Sequence, residues 1–240
     1  MDRKAYDNVK GYACTVVRSD GSSEDKEMFL IEEHELSVIV NGSKAMKIVC
    51  TRDKLCELVT GRLFTDGYIN GPEDISGLSF DDGENAVKVS LKGDAVARKD
   101  MEGTCAARER SREPKYEMAW IFSLAERFEK DMPLHDLTCG THSCILSKGG
   151  EILFECEDIG RHNAVDKAVG FALREGIPLS ECILFTSGRV PVDMVEKIIA
   201  AGIPILVSKS VVTYDAAELA KRYGLTVFAR AHADSVRLIG

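Results

Sequence analysis

From Glu155 to Lys167 the chain reads ECEDIGRHNAVDK: carboxylates lead into Gly160, then Arg161, His162 and Asn163 stand side by side before a helical pattern begins. One helix cap uses one hydrogen-bonding side chain, so this crowding points to a ligand with charged oxygens at the helix mouth. The structural alternative is that Asp158 and Asp166 pair with Arg161 or Lys167. Two more segments have the same character. Thr186, Ser187, Gly188 and Arg189 follow the apolar run ECILF and precede a helix with Pro191 in its first turn. Ser208, Lys209 and Ser210 follow IPILV. Hydroxyls, cations and free backbone N–H groups at helix N-termini make a phosphate cradle. Against it, Ser208 and Ser210 also read as helix caps, and Arg189 as a surface partner of Asp193.

Cysteine supplies the other chemistry. In TCGTHSC, Cys139, His142 and Cys144 are metal-ligand types, but no fourth ligand stands at a partner spacing, so His142 reads as a polar contact in the pocket and no metal is expected. Cys105, in GTCAARERSREP, lies in a polar stretch with Arg108, Arg110 and Arg112 following. Guanidinium groups favour a thiolate, while Glu102, Glu109 and Glu113 dilute their field. The spacing suits a nucleophile and an accidental loop cysteine equally.

The elements that position these groups fall into two regions. EMFLIEEHELSVIVNG alternates up to the hairpin pair Asn41-Gly42, SKAMKIVC returns, RDKLCELVTGRLFTDG has helical spacing, and LSFDDGENAVKVSL reads as a hairpin around Asp82-Gly83. Charges dominate from about Gly93 to Pro114 with no apolar period, the mark of a linker or long loop. Beyond it Trp120, Ile121, Leu124 and Phe128 mark an amphipathic helix, and CILSKGGEILFEC is a hairpin over Gly149-Gly150. Helices ending at Gly176, Gly202 and Gly224 then alternate with short β-branched runs, as βαβ units require. The expectation is a β-rich N-terminal domain over 1–100, a mobile linker with Cys105 over 101–114, and an α/β domain with a mostly parallel sheet over 115–240.

The 240 residues carry a net charge of −8, which argues against general nucleic-acid binding. Their longest apolar runs are strand-length, and MDRKAYDNVKGYACTVV has no secretory apolar region, so a cytoplasmic protein without a membrane partner is expected. None of the eight cysteines forms a C-x-x-C pair.

DIGRHNAVDKAVG, TSGRVPVDMVEKIIAAGIPILVSKS and AAELAKRYGLTVFARA together closely resemble the FdhD/NarQ family of formate dehydrogenase accessory sulfurtransferases. LSVIVNG, CELVTGRLFTDGYI and EDI follow in the family's order, and TCGTHSC stands where the family has Thr-Gly-Gly-x-His, so the similarity runs roughly from residue 27 to 239. The resemblance implies a cytidine-deaminase-like C-terminal domain, a smaller α+β N-terminal domain and a homodimer. It also implies that sulfur is accepted from a cysteine desulfurase as a cysteine persulfide. That sulfur then passes to the molybdenum of the bis(molybdopterin guanine dinucleotide) cofactor, Mo-bis-MGD, which formate dehydrogenase needs. GDP would mimic the cofactor's nucleotide ends. Arg161, His162 and His142 would face Ser187, Gly188 and Arg189 across the crevice, and the family's cofactor-contacting segment corresponds to Phe228, Ala229, Arg230, Ala231, His232 and Ala233.

The chain departs from the family in the sulfur-carrying Cys-x-x-Cys: Cys105 fits its first half, but Arg108 replaces the second cysteine. Cys139 and Cys144 stand where the family has small residues, which reads first as a packing change, with substitution for the missing cysteine as the alternative. The departure supports an alternative, a cofactor chaperone that holds Mo-bis-MGD without moving sulfur. A zinc deaminase, which shares the implied fold, would need His-x-Glu and Pro-Cys-x-x-Cys, and neither occurs.

Overall fold

Asn41 and Gly42 take φ of 48° and 81°, the left-handed pair that a two-residue hairpin turn requires. They join β3 (His34–Val40) to β4 (Ser43–Cys50) in antiparallel register. The computed structural model describes residues 8–93, 114–130 and 132–239. The hairpin expected around Asp82-Gly83 is β5 (Ile75–Phe80) with β6 (Ala86–Leu91), and these strands complete a four-stranded sheet of order β4-β3-β6-β5. The alternating stretch before Asn41 is two strands rather than one. It breaks at Glu32-Glu33, and its first part, β2 (Ser23–Ile31), pairs with β1 (Val9–Val17) in a separate two-stranded ribbon.

The second sheet has six strands in the order β12-β11-β10-β9-β7-β8, where β7 is His142–Lys148, β8 Glu151–Asp158, β9 Cys182–Thr186, β10 Ile205–Ser208, β11 Thr226–Ala229 and β12 Arg237–Ile239. Its centre is parallel, as the βαβ rhythm requires, through the β9–β10 and β10–β11 pairs. The expected mostly parallel sheet is nevertheless corrected to a mixed one. The Gly149-Gly150 hairpin enters through β7 antiparallel to β9, and β12 closes the other edge antiparallel to β11. Both faces are covered. Leu146, Leu184, Leu206 and Val227 point to one side, while Ile145, Phe185, Val207 and Phe228 point to the other, as the two-residue strand period dictates. Full burial of side chains such as Leu146 and Phe185 contributes about 1.5–3 kcal/mol each.

Helix α1 (Leu55–Thr65) crosses α4 (Arg161–Arg174) on the first of these faces, beside α5 (Val192–Ala201) and α6 (Tyr214–Arg222). Helix α2 (Met118–Lys130) covers the other face, with Phe128 stacked on Phe185 at 4.5 Å, and a short α3 (Pro133–Thr138) leads into β7. The α1–α4 crossing is backbone on backbone. A Cβ on Gly61 would lie 1.9 Å from the Asp166 carbonyl oxygen, and one on Gly170 would lie 1.9 Å from that of Glu57. Glycine at both positions lets Arg62 and Thr65 reach Asp166. Among the described residues no helix is long and apolar enough to cross a membrane.

Candidate functional site at the carboxyl edge of the six-stranded sheet

Because β9, β10 and β11 are parallel and β7 and β8 run so that His142 pairs with Asp158, one edge of the sheet gathers most of the polar segments. Arg161 and His162 open α4 there, His142 starts β7, Ser187 to Arg189 follow β9, Lys209 follows β10, and Arg230 to His232 follow β11. Phe228 and Ala229 lie within β11 itself and are buried.

The crowded motif divides in two. Asn163, Asp166 and Lys167 are buried and fix α4 to the rest of the molecule. Asp158, fully buried, accepts from the Thr51 amide at 3.1 Å, the Thr51 hydroxyl at 3.0 Å, the Gly160 amide at 2.9 Å and Asn163 Nδ2 at 2.9 Å. Lys167 Nζ completes that shell at 2.7 Å, and Asn163 Nδ2 also donates to the Val49 carbonyl at 2.7 Å. The Asp158–Lys167 pairing of the structural alternative is therefore present, but Asp166 turns elsewhere. It takes Lys197 Nζ at 2.6 Å, the Thr65 hydroxyl at 2.8 Å and Arg62 at 3.5 Å. Lys197 and Arg62 lie far off in sequence, so the short-range reading missed them.

Arg161 and His162 look outward into a cavity of about 560 Å³ between α1, α4 and α5, which His142, Asp66, Asp193 and Glu196 also line. Its cations are not equivalent. Lys197 and Arg62 are neutralised by Asp166 and Asp66. Arg161 makes no ion pair among the described residues, and its Nε is buried without a hydrogen-bond acceptor. A buried donor left unpaired costs about 1–3 kcal/mol, so this group is poised for an anionic or carbonyl oxygen. Gly188 lets it sit there: a Cβ on that residue would come within 2.9 Å of Arg161 Cβ.

Burial, aided by the neighbouring Arg161, holds the His142 imidazole below its ordinary pKa, and burial does the same to His162. Both rings are thus neutral at pH 7. The Ser187 hydroxyl accepts the Ser143 amide at 3.0 Å and meets His142 Nδ1 at 3.2 Å. Every group is satisfied when Ser187 donates to Nδ1, which leaves the His142 Nε2 proton for a ligand. His162 Nε2 is 3.2 Å from Asp193 Oδ2, so Asp193 serves His162 and the anticipated Arg189–Asp193 pair is absent.

The backbone cradle anticipated after β9 and β10 is also corrected. Ser187 N–H donates to the Ser143 carbonyl, Gly188 N–H to Thr186 Oγ1 and Ser210 N–H to Ser208 Oγ, so those amides are spent internally. Ser208, fully buried, also donates to the Gly188 carbonyl and is a structural brace. What faces outward is a row of side chains. Arg189, Lys209 and Arg230 are exposed at three adjacent strand ends, and none makes an ion pair among the described residues. Arg230 takes φ of 47°, and its N–H is held by the Ser210 carbonyl at 2.8 Å. The last segment is uneven: Ala231 is buried, Ala233 is exposed, and His232 Nδ1 lies 3.3 Å from Glu129.

Cys105 lies outside the described residues. Cys144 is fully buried with its thiol pushed well up, which excludes it as a second nucleophile, whereas Cys139 is exposed where α3 hands over to β7. Among the described residues no group of three His, Cys, Asp or Glu side chains is placed to hold a metal ion.

Comparison with known proteins adds an independent line. The model of the FdhD/NarQ family matches residues 31–238. The sulfur carrier protein FdhD of Listeria monocytogenes is 30% identical over 229 residues, covering 86% of this chain and 87% of that protein. The sulfur carrier protein FdhD of Sulfolobus acidocaldarius is 32% identical over 222 residues, covering 87% of each. The crystal structure of a putative formate dehydrogenase accessory protein from Desulfotalea psychrophila superposes with a TM-score of 0.83 at 26% identity, covering 97% of this chain and 96% of that one.

Proposed function

Because the chain belongs to the FdhD/NarQ family, we propose that it is a sulfur carrier in the maturation of formate dehydrogenase. In this reading Cys105 accepts sulfur from a cysteine desulfurase, and the sulfur passes to the molybdenum of Mo-bis-MGD held as substrate at the strand-end crevice. The thiolate of Cys105 attacks the terminal sulfur of the desulfurase persulfide. A new S–S bond forms as the donor's S–S bond breaks, and the donor cysteine leaves as a thiolate. The partners required are a cysteine desulfurase and the formate dehydrogenase apoprotein, with the carrier itself a homodimer. The cytidine-deaminase-like description of the six-stranded part and the division near residues 100 and 114 belong to the same reading.

The observation that supports the nucleotide half is Arg161, whose buried Nε has no acceptor among the described residues. Arginine offers a planar fork that grips phosphate or a purine carbonyl with charge-assisted bonds. His142 adds a neutral donor beside it, and the row of Arg189, Lys209 and Arg230 supplies the positive charge that a diphosphate requires. Arg161→Ala is expected to weaken GDP binding by roughly tenfold to a hundredfold, the equivalent of a lost charged hydrogen bond. A calorimetric titration showing unchanged affinity would remove Arg161 from the site.

Arg108, in place of the family's second cysteine, favours one competing reading, a chaperone that binds the cofactor and moves no sulfur. Incubation with a desulfurase and cysteine, followed by alkylation and mass spectrometry, separates the two. The carrier reading expects one additional sulfur on Cys105. Unmodified Cys105 with intact GDP binding supports the chaperone instead.

A further inference from the structure

Helix α5 turns Asp193, Glu196 and Lys197 toward the cavity that Arg161 and His142 line, the i, i+3, i+4 spacing of one helix face. Two of the three are already engaged. Lys197 is held by Asp166 at 2.6 Å, and Asp193 lies 3.2 Å from His162. Glu196 differs. It is half-buried, it lines the cavity, and its carboxylate makes no hydrogen bond or ion pair among the described residues. Arg62, the third cation of the wall, is taken by Asp66 at 2.7 Å. With these pairs made, the wall still presents one guanidinium, Arg161, and one carboxylate, Glu196, which share the cavity without pairing to each other.

Such a wall suits a phosphate poorly. A diphosphate offers only acceptors and negative charge, so Glu196 would repel it while Arg161 attracted it. The two groups together match a neutral, flat ligand with acceptors along one edge and N–H donors along the next. Guanine has that pattern: O6 and N7 accept, while N1–H and the 2-amino group donate. Adenine inverts it, with a 6-amino donor in place of O6 and a bare N1 in place of N1–H. At about 560 Å³ the cavity is within the size range of small-molecule sites.

We infer that this cavity takes the guanine base of the bound nucleotide rather than its phosphates, and that Glu196 is the residue that sets the choice of base. Arg161 donates to O6 or N7, and Glu196 accepts from N1–H and the 2-amino group. The inference rests on the nucleotide reading proposed above and adds how guanine is told from adenine. A carboxylate can take both donors at once because it has two acceptor oxygens and no N–H. Glutamine keeps one acceptor but sets its own N–H donors against the 2-amino group. A site built to hydrogen-bond one edge rejects a base that leaves its polar groups unpaired.

The test is calorimetric titration of the full chain, wild type and Glu196→Gln, with GDP, ADP and xanthosine diphosphate. The base of the last carries a carbonyl oxygen in place of the 2-amino group, which an amide N–H can meet and a carboxylate cannot. Wild type is expected to bind GDP about tenfold to a hundredfold more tightly than either competitor. Glu196→Gln should lose GDP by a similar factor and gain xanthosine diphosphate, so that the order of the two reverses. Misfolding cannot produce that reversal. If Glu196 were only a negative charge near the phosphates, neutralising it would strengthen all three ligands together. That profile, or any other in which the order does not reverse, overturns the base-reading role. A wild type that binds GDP and ADP equally overturns it too, while leaving a diphosphate site in place. A wild type that binds neither removes the nucleotide reading along with it.

Discussion

Cells whose only copy of this protein carries Cys105→Ala are expected to make formate dehydrogenase with no activity above background, while the purified variant keeps its GDP affinity and thermal midpoint. Transfer needs a thiol that is exposed and partly ionised, because the thiolate and not the thiol attacks sulfur. Burial holds back five of the seven described thiols. Burial pushes Cys50 and Cys156 up to about 12 and Cys182 up to about 11, and it drives Cys144 higher than its ordinary value as well. Cys56 is raised by its own burial. Cys139 is the one exposed thiol among the described residues, at the turn that precedes His142. It is the natural competitor, so Cys139→Ala is the paired variant. Full formate dehydrogenase activity in Cys139→Ala and none in Cys105→Ala places the sulfur on Cys105. The reverse pattern would move the carrier to the mouth of β7, and activity in both single variants would end the carrier reading.

The sequence made local chemistry legible and left most long-range pairing hidden. The Asn41-Gly42 and Gly149-Gly150 hairpins were readable because two residues in positive φ specify a turn without help from the rest of the chain. The β1–β2 ribbon was not, because its strands are largely exposed and neither carries a buried residue. Nor could the antiparallel edges of the large sheet be read, since β7 meets β9 across a whole helix and its connections. The site shows the same division. That His142, Arg161, Ser187 and Arg189 share one edge followed from their place at strand ends. Asn163, Asp166 and Lys167 in the same motif looked like ligand groups but point inward. Asn163, Asp166 and Lys167 stand at i, i+3 and i+4, with Gly170 at i+7, on the face of α4 that meets α1. That helical spacing was the available signal. Residue types advertised a site, and side-chain direction decided which of them belong to it.

The inward half of the motif carries the largest expected effect on stability, and Asp158→Ala exposes it. Asp158 lies where three separate segments meet: Thr51 after β4, its own position at the end of β8, and Lys167 on α4. Both charged residues are fully buried. Removing the carboxylate leaves Lys167 with the Thr51 hydroxyl at 2.6 Å and the Glu157 carbonyl at 3.2 Å, neither of which balances a positive charge. Breaking a buried pair in this way costs about 3–5 kcal/mol. For a chain of this size each kcal/mol shifts the midpoint by about 2–4 °C, so thermal unfolding should begin to fail roughly 6–20 °C earlier. The charge, and not the cavity, should dominate. A Lys167→Met change made on top of Asp158→Asn removes the stranded ammonium while keeping the amide shape, and it should recover part of what Asp158→Asn alone loses. If Asp158→Ala moves the midpoint by less than about 2 °C, the pair is not what joins α4 to the four-stranded sheet. The same variant tests the link to the site, because the Gly160 amide that Asp158 holds at 2.9 Å is the residue from which Arg161 projects. Measured well below its own unfolding transition, Asp158→Ala should therefore bind GDP more weakly although no atom of Asp158 faces the cavity.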